Sequence, residues 1–215
     1  MSIDEYALMR KRMLEEQIAA RGIHDTRVLA AMGSVLRHCF VQADDLPRAY
    51  ADGPLTIGYG QTISQPYIVA LMTELLEMEP TDRVLEVGSG CGYQAAVLGE
   101  LASEVHTVEV IPELAHQAEK TLAGLGYTHV HVHPGDGSQG WSKTAPYNRI
   151  LVAAAAPQVP QPLLDQLAER GQLVIPVGSR NVQHLEVWKR TGKDFECRVN
   201  LEVRFVPLRG QFGWN

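Results

Sequence analysis

Cysteine is scarce in this chain, with three among 215 residues, at Cys39, Cys91 and Cys197. An odd count at such separations excludes a disulfide framework and the paired spacing of a zinc site. It suits a reducing compartment, so a cytoplasmic protein is expected. No apolar run approaches the roughly 20 residues of a membrane span, so no membrane partner is expected. The N-terminus carries Asp4, Glu5, Arg10, Lys11 and Arg12 without an apolar stretch, and no secretory leader is expected there. Positive charge is in the minority, 19 Lys and Arg against 25 Asp and Glu for a net charge of -6, which argues against nucleic acid as a partner. Repeats, low-complexity tracts and linker-like stretches are also missing. Hydrophobic residues are not, at 45%. That is enough for a sizeable core, and the length fits one domain with an extension.

The pattern of those hydrophobic residues changes along the chain. Residues 4 to 34 read as helical, with Leu8, Leu14 and Ile18 among charged side chains and Gly22 interrupting. Asp25 or Thr26 is placed to cap a second helix over Val28, Leu29 and Met32. Residues 44 to 66 read as loop, rich in Pro and Gly, and a helix follows Pro66 through Ile68, Leu71, Met72 and Leu75. From residue 83 strands and helices alternate. Strands are predicted near 83–88, 105–109, 129–133, 149–153 and 172–177, and helices near 93–102, 112–124 and 160–169. Such alternation implies a parallel sheet with helices on both faces. His184 to Trp188 and Val199 to Phe205 lack an intervening helix and read as an antiparallel pair. The fold expected is α/β, a doubly wound, mostly parallel seven-stranded, Rossmann-like sheet. Residues 1–80 form an N-terminal helical extension and loop, and 81–215 form the core.

The richest stretch is Val84-Leu85-Glu86-Val87-Gly88-Ser89-Gly90-Cys91-Gly92-Tyr93. It reads as a buried strand breaking into a glycine turn that opens a helix, the order in which a doubly wound fold builds its first nucleotide crevice. Tyr93 stands where a dinucleotide fingerprint has its third glycine. A nucleoside without a pyrophosphate, such as S-adenosylmethionine, fits better. Glu109 ends the next strand, where a carboxylate can accept both ribose hydroxyls or stand as a solvated strand-end charge. Asp136, in Gly135-Asp136-Gly137, follows the third strand. It can face an adenine amino group or simply make an Asp-Gly turn.

Gly60-Gln61-Thr62-Ile63-Ser64-Gln65-Pro66 resembles the signature loop of the protein-L-isoaspartate O-methyltransferases. The resemblance covers nearly the whole chain. It includes Met13 to Asp25, Val84 to Leu98, Gly135 to Trp141, Ala154 to Pro160, Gly171 to Gly178 and Phe205 to Leu208. It implies methyl transfer from S-adenosylmethionine, with S-adenosylhomocysteine as product, to the α-carboxyl of L-isoaspartyl residues in damaged peptides and proteins, with closure to a succinimide. It implies a class I methyltransferase fold and a monomer. Ser64 would be the active-site hydroxyl. Gln61, Thr62, Ile63, Ser64, Gly88, Gly90, Gly92, Glu109, Asp136 and Gly137 would form the cofactor shell, and Thr62 and Ser64 would also meet the acceptor. From its own position alone Ser64 reads more readily as a helix N-cap before Pro66.

Some positions depart from the family pattern. Leu36 and Gln42 stand where Pro is frequent, Asn148 where Asp is, and Ala153 and Arg209 where Thr is. Arg209 leaves a C-terminal cofactor contact open, and none is assigned. His129, His131 and His133 alternate and should share one face, more in keeping with packing than with a metal. Cys91 reads as a small apolar filler and Trp141 as core. A different methyltransferase is the main rival. An adenine-N6 enzyme, however, needs an acid or amide in its Pro-Pro loop, and that position here is Ala155-Ala156-Pro157-Gln158. A non-catalytic cofactor-binding module is the other rival, and Ser64, Glu109 and Asp136 argue against it.

Overall fold

The computed structural model describes residues 2 to 214. Helix α1 (Ile3–Arg12) begins at Ser2, whose hydroxyl and the Glu5 carboxylate cap each other's backbone N–H. That arrangement satisfies two donors that a helix start otherwise leaves open. The helix continues as a π-turn over Met13–Ile18 and a tight turn over Ala19–Arg21, and stops at Gly22 with φ +94°. Asp25 caps α2 (Thr26–Ser34) through the Arg27 N–H. Two 3₁₀ turns follow, Arg37–Phe40 and Ala43–Arg48.

Residues 44 to 66 are more ordered than expected. Within them β1 (Leu55–Gly58) and β2 (Gln61–Ile63) form an antiparallel hairpin. The turn places both Tyr59 and Gly60 at positive φ, the backbone that a two-residue hairpin requires. The strands are three and four residues long, too short to register as alternation. Helix α3 (Pro66–Leu75) takes Pro at its first position, where a missing N–H costs nothing.

The remaining elements are β3 (Arg83–Val87), α4 (Tyr93–Gly99), β4 (Glu104–Glu109), α5 (Pro112–Gly124), β5 (Val130–Pro134), β6 (Tyr147–Val152), α6 (Gln161–Asp165), β7 (Leu167–Gly178), β8 (Gln183–Thr191) and β9 (Asp194–Val203). The main sheet runs β5-β4-β3-β6-β7-β8-β9, parallel through β7 and antiparallel thereafter. This is the Rossmann-like class I arrangement, with the last two strands as a meander. The expected helix 160–169 is only five residues long. Leu167 pairs with Tyr147, and the Tyr147 N–H donates to the Gln166 carbonyl. The sheet ladder therefore overrides the helix propensity of Leu-Ala-Glu-Arg.

The two faces are unequally covered. One cluster joins the N-terminal helices, α3, α4 and α5 to Val84, Val105, Leu151 and Val187. The other packs Leu85, Val87, Val108 and Ile150 against α6 and Leu208. The strand order reverses between β3 and β6. Their carboxyl ends therefore diverge into a crevice, which is where sheets of this kind bind ligands.

Leu85 is fully buried and Leu8 is 52% exposed. Urea unfolding should show Leu85→Ala losing about 2–5 kcal/mol and Leu8→Ala changing stability by less than about 0.5 kcal/mol.

Candidate functional site

The glycine loop lies at the carboxyl end of β3. Gly88, Gly90 and Gly92 adopt φ of +91°, +50° and +91°, a region that other L-residues rarely enter. The Gly88 N–H donates to the Val108 carbonyl at 2.8 Å. The Gly90 N–H donates to Glu109 Oε2 at 2.8 Å, and the Ile111 N–H donates to Glu109 Oε1 at 3.0 Å. The buried Glu109 carboxylate thus holds the loop to the end of β4. An ionised carboxylate offers about four acceptor positions, so roughly two remain for a ligand.

The cleft is lined by Gln61, Thr62, Ile63 and Ser64 of the hairpin, by Gly88, Ser89 and Gly90, by Glu109 and Ile111, and by Gly137. It measures about 870 Å³ including its open mouth. A side chain at Gly137 would come within 2.6 Å of the Val87 side chain, so only glycine lets this turn cross the strand end. The Ser89 hydroxyl is buried and has no hydrogen-bond partner among the described residues. An open carboxylate, an orphan hydroxyl and a glycine cradle fit a ribose-bearing nucleoside.

Two of the expected shell residues are not in that lining. Gly92 caps the start of α4, and a Cβ there would come against Leu122 and Ala118 of α5. Asp136 lines instead a small pocket beside the cleft, with Val108, Gly135, Gln139, Gly140 and Trp141. Its carboxylate accepts from the Ser138 N–H and hydroxyl, from Gln139 Nε2 and from the Gln211 N–H. Burial pushes this carboxyl up, but those hydrogen bonds prevail and hold it below the usual range. Through these four bonds Asp136 pins the C-terminal segment to the turn after β5.

That segment is the part the sequence hid. Phe205, Val206, Pro207, Leu208 and Arg209 form one wall of the cleft, where the sequence reading assigns no contact. The Ala155 N–H donates to the Val206 carbonyl, and the Leu208 N–H donates to the Ala155 carbonyl. These bonds seat the wall beside β6. Only an Asp-Gly-Ser turn paired with a distant glycine-containing tail could have signalled it. Asn148, the departure before β6, accepts the Arg83 N–H at 2.9 Å and fixes the start of β3.

Ser64 is not the cap of α3. Gln65 takes that position and makes no side-chain cap bond. The half-buried Ser64 hydroxyl has no hydrogen-bond partner among the described residues. It lines both the cleft and a neighbouring pocket of about 1170 Å³ including its open mouth, formed by Arg21, Gln65, Tyr67, Ile68 and residues 201–206.

Other candidates have packing roles. His131 and His133 share a face with His106, and His133 stacks on Trp141 at 4.1 Å. His129 turns aside to the Gly99 carbonyl. Burial, with the nearby histidines and Lys143, lowers His133 to about 4, so it is neutral at pH 7. Cys91 is buried, and burial raises its thiol to about 11, well away from the thiolate that reactivity needs.

Glu86, beneath the loop, is fully buried. It accepts the Thr107 hydroxyl, and its other oxygen has no partner among the described residues. Burial, opposed by the Thr107 bond and reinforced by the Glu109 charge, raises it to about 8.

A model of the protein-L-isoaspartate(D-aspartate) O-methyltransferases matches residues 8–213. A protein-L-isoaspartate O-methyltransferase of a Picosynechococcus species is 58% identical, over 96% of this chain and 93% of that one. Among solved structures, a protein-L-isoaspartate O-methyltransferase superposes with a TM-score of 0.86 at 27% identity, covering 95% of this chain and 67% of the other. A Plasmodium falciparum chain in complex with S-adenosyl-L-homocysteine shares the fold, with a TM-score of 0.80 at 24% identity over 95% and 98% of the two chains.

Two outcomes test the site. Glu109→Ala should weaken S-adenosylhomocysteine binding in calorimetry by about 1.5–3 kcal/mol for each hydrogen bond lost to a charged acceptor; unchanged affinity would remove Glu109 from the site. Glu86 has a raised folded-state pKa, so the stability it contributes is greatest below about 4.5 and is lost as pH rises toward about 8. Glu86→Gln should therefore flatten the fall in stability between pH 5 and pH 8 seen in urea unfolding. The expected change is a few kcal/mol, since each tenfold difference in proton affinity between folded and unfolded chain is worth about 1.4 kcal/mol.

Proposed function

The chain belongs to the protein-L-isoaspartate(D-aspartate) O-methyltransferase family, and on that footing we propose how its residues divide the reaction. It transfers a methyl group from S-adenosylmethionine to the α-carboxyl of L-isoaspartyl residues. The ester then closes to a succinimide, whose hydrolysis returns some normal aspartyl, so the step initiates repair. The observation that carries the division of labour is the unpartnered Ser64 hydroxyl at the junction of the cleft and the neighbouring pocket.

The acceptor is a carboxylate, ionised at neutral pH, so the protein needs no general base. Bound S-adenosylmethionine supplies an electrophilic methyl on a good leaving group. The protein must align the acceptor oxygen and exclude water. Alignment alone is worth about 7–11 kcal/mol in favourable cases. Ser64 acts as a positioning donor to the acceptor carboxylate, with Thr62 beside it. Gly88, Gly90 and Gly137 give the cofactor close approach to backbone, Glu109 takes the ribose hydroxyls, and Gln61 to Ser64 close over it. Gly92 and Asp136 serve the cofactor indirectly, through α4 and through the C-terminal wall. In this reading residues 1–80 form the helical extension and the loop that meets both acceptor and cofactor, and 81–215 form the methyltransferase core, of one structural domain.

The partners are isoaspartyl peptides and proteins. Among the described residues no helix is long and apolar enough to cross a membrane. Free cysteines support a cytoplasmic setting, the acidic net charge supports the absence of a nucleic-acid partner, and we take the working unit to be a monomer.

The test is methyl transfer from labelled S-adenosylmethionine to two peptides that differ only in one aspartyl linkage. Base-labile label on the iso peptide alone is expected. Label on neither, with cofactor bound, would assign a different acceptor. Ser64→Ala should lower turnover about tenfold or more, equivalent to about 1.4 kcal/mol of barrier or more, with little change in cofactor affinity. Lost cofactor binding with full turnover at saturation would contradict the role.

A further inference from the structure

Arg37 has no exposed surface and is among the largest fully buried side chains of the described residues. It stands in the 3₁₀ turn between α2 and the hairpin. Its Nε donates to the Ala49 carbonyl at 2.8 Å, and Nη2 donates to the Ser64 carbonyl at 2.8 Å. Nη1 is buried and has no hydrogen-bond partner among the described residues. The guanidinium carbon lies 4.8 Å from the centre of the Tyr93 ring, and Tyr93 lines the cleft. No carboxylate among the described residues pairs with it. Burial pushes its pKa down, and the groups that oppose this are Tyr93, Cys91 and Tyr50 rather than an acid.

We propose that Arg37 is a positioning residue of the acceptor site, holding the Ser64 segment by its carbonyl and supplying, from behind it, the positive charge that favours an anionic acceptor. The proposal rests on the placement of the acceptor at Ser64. A buried ion without a counter-ion is costly, and two carbonyls could be held by a neutral amide. The charge is accounted for if its complement arrives with the substrate. The Ser64 segment is the point where the cation meets the pocket wall, and the substrate's reacting group is a carboxylate.

The two parts of the role have different kinetic signatures. Methyl transfer consumes the negative charge of the acceptor. A nearby cation therefore stabilises the bound carboxylate more than the transition state, and its removal appears in acceptor binding rather than in kcat. Loosening the Ser64 segment misaligns the acceptor and appears in kcat. A side chain that served only to fill the core would alter neither selectively.

The experiment compares wild type, Arg37→Gln and Arg37→Lys. The readouts are kcat on an isoaspartyl peptide and, with S-adenosylhomocysteine bound, the affinities for that peptide and for its α-carboxamide counterpart. Wild type should bind the carboxylate at least about tenfold more tightly than the amide. Arg37→Gln should shrink that ratio at least about fivefold while keeping S-adenosylhomocysteine affinity within about twofold. Arg37→Lys keeps the charge but cannot fork to two carbonyls, so it should keep the ratio and lower kcat at least about fivefold. A wild-type ratio in Arg37→Gln, or no preference in wild type, would overturn the charge role. Wild-type kcat in Arg37→Lys would overturn the anchoring role. If Arg37→Gln does not melt cooperatively, Arg37→Lys decides, a kept ratio with lowered kcat supporting the proposal and any other result overturning it. Failure of wild type to methylate the isoaspartyl peptide would instead overturn the acceptor assignment itself.

Discussion

Glu109 uses two of its acceptor positions on the protein, one on the Gly90 N–H and one on the Ile111 N–H. Those bonds decide the shape of the crevice. Without them the loop after β3 would have a buried donor to satisfy, and a buried unpaired N–H is costly. The loop would move to find a partner, and the cradle formed by Gly88 and Gly90 would go with it. The same carboxylate keeps its remaining acceptor positions open toward the cleft. One group therefore shapes the site and presents it. The short register between β3 and β4, with Val87 opposite Val108, brings the two strand ends level so that this is possible.

The parts of the fold legible in the sequence are those with a period. Val84 to Tyr93 shows a buried strand, a turn and a helix start within ten residues, and the alternation after it predicts the parallel strands. Asp25 signals a cap and is one. The hairpin 55–63 has no comparable signal, because its strands are short and its turn uses Tyr59 at positive φ. The end of α6 is illegible for a different reason. Its helix-forming residues are claimed by a ladder to β6, a tertiary effect that no local window contains.

The candidate site divides in the same way. Glycines and strand-end acids announce themselves by position, and Gly88, Gly90, Glu109 and Gly137 all meet in one cleft. Asp136 is legible as a turn but not as an anchor, because its partner, the Gln211 N–H, is 75 residues away. The C-terminal wall escapes a sequence reading for the same reason. Arg37 carries no signal at all, since an arginine among Leu36, His38 and Cys39 looks like surface. Only the packing of Tyr93 and the path of the 61–65 segment make it part of the acceptor side.

The distribution of charge around the cleft follows from the chemistry it serves. Methyl transfer from a sulfonium to a carboxylate cancels a positive and a negative charge, so a poorly solvated site costs the transition state less than the separated ions. The site must nevertheless attract both ions. A fixed negative charge too near the acceptor would repel it, and two ionised carboxylates under the loop would do so. Burial keeps Glu86 largely neutral at pH 7, in accord with the rule that neighbouring carboxyls do not both ionise readily in low dielectric. Glu109 remains as the acid facing the cofactor side, and Arg37 is the buried cation on the acceptor side. Attraction for the cationic donor and for the anionic acceptor thus comes from two groups that do not pair with each other, so each ion can be held without the site pairing its own charges across the reacting atoms.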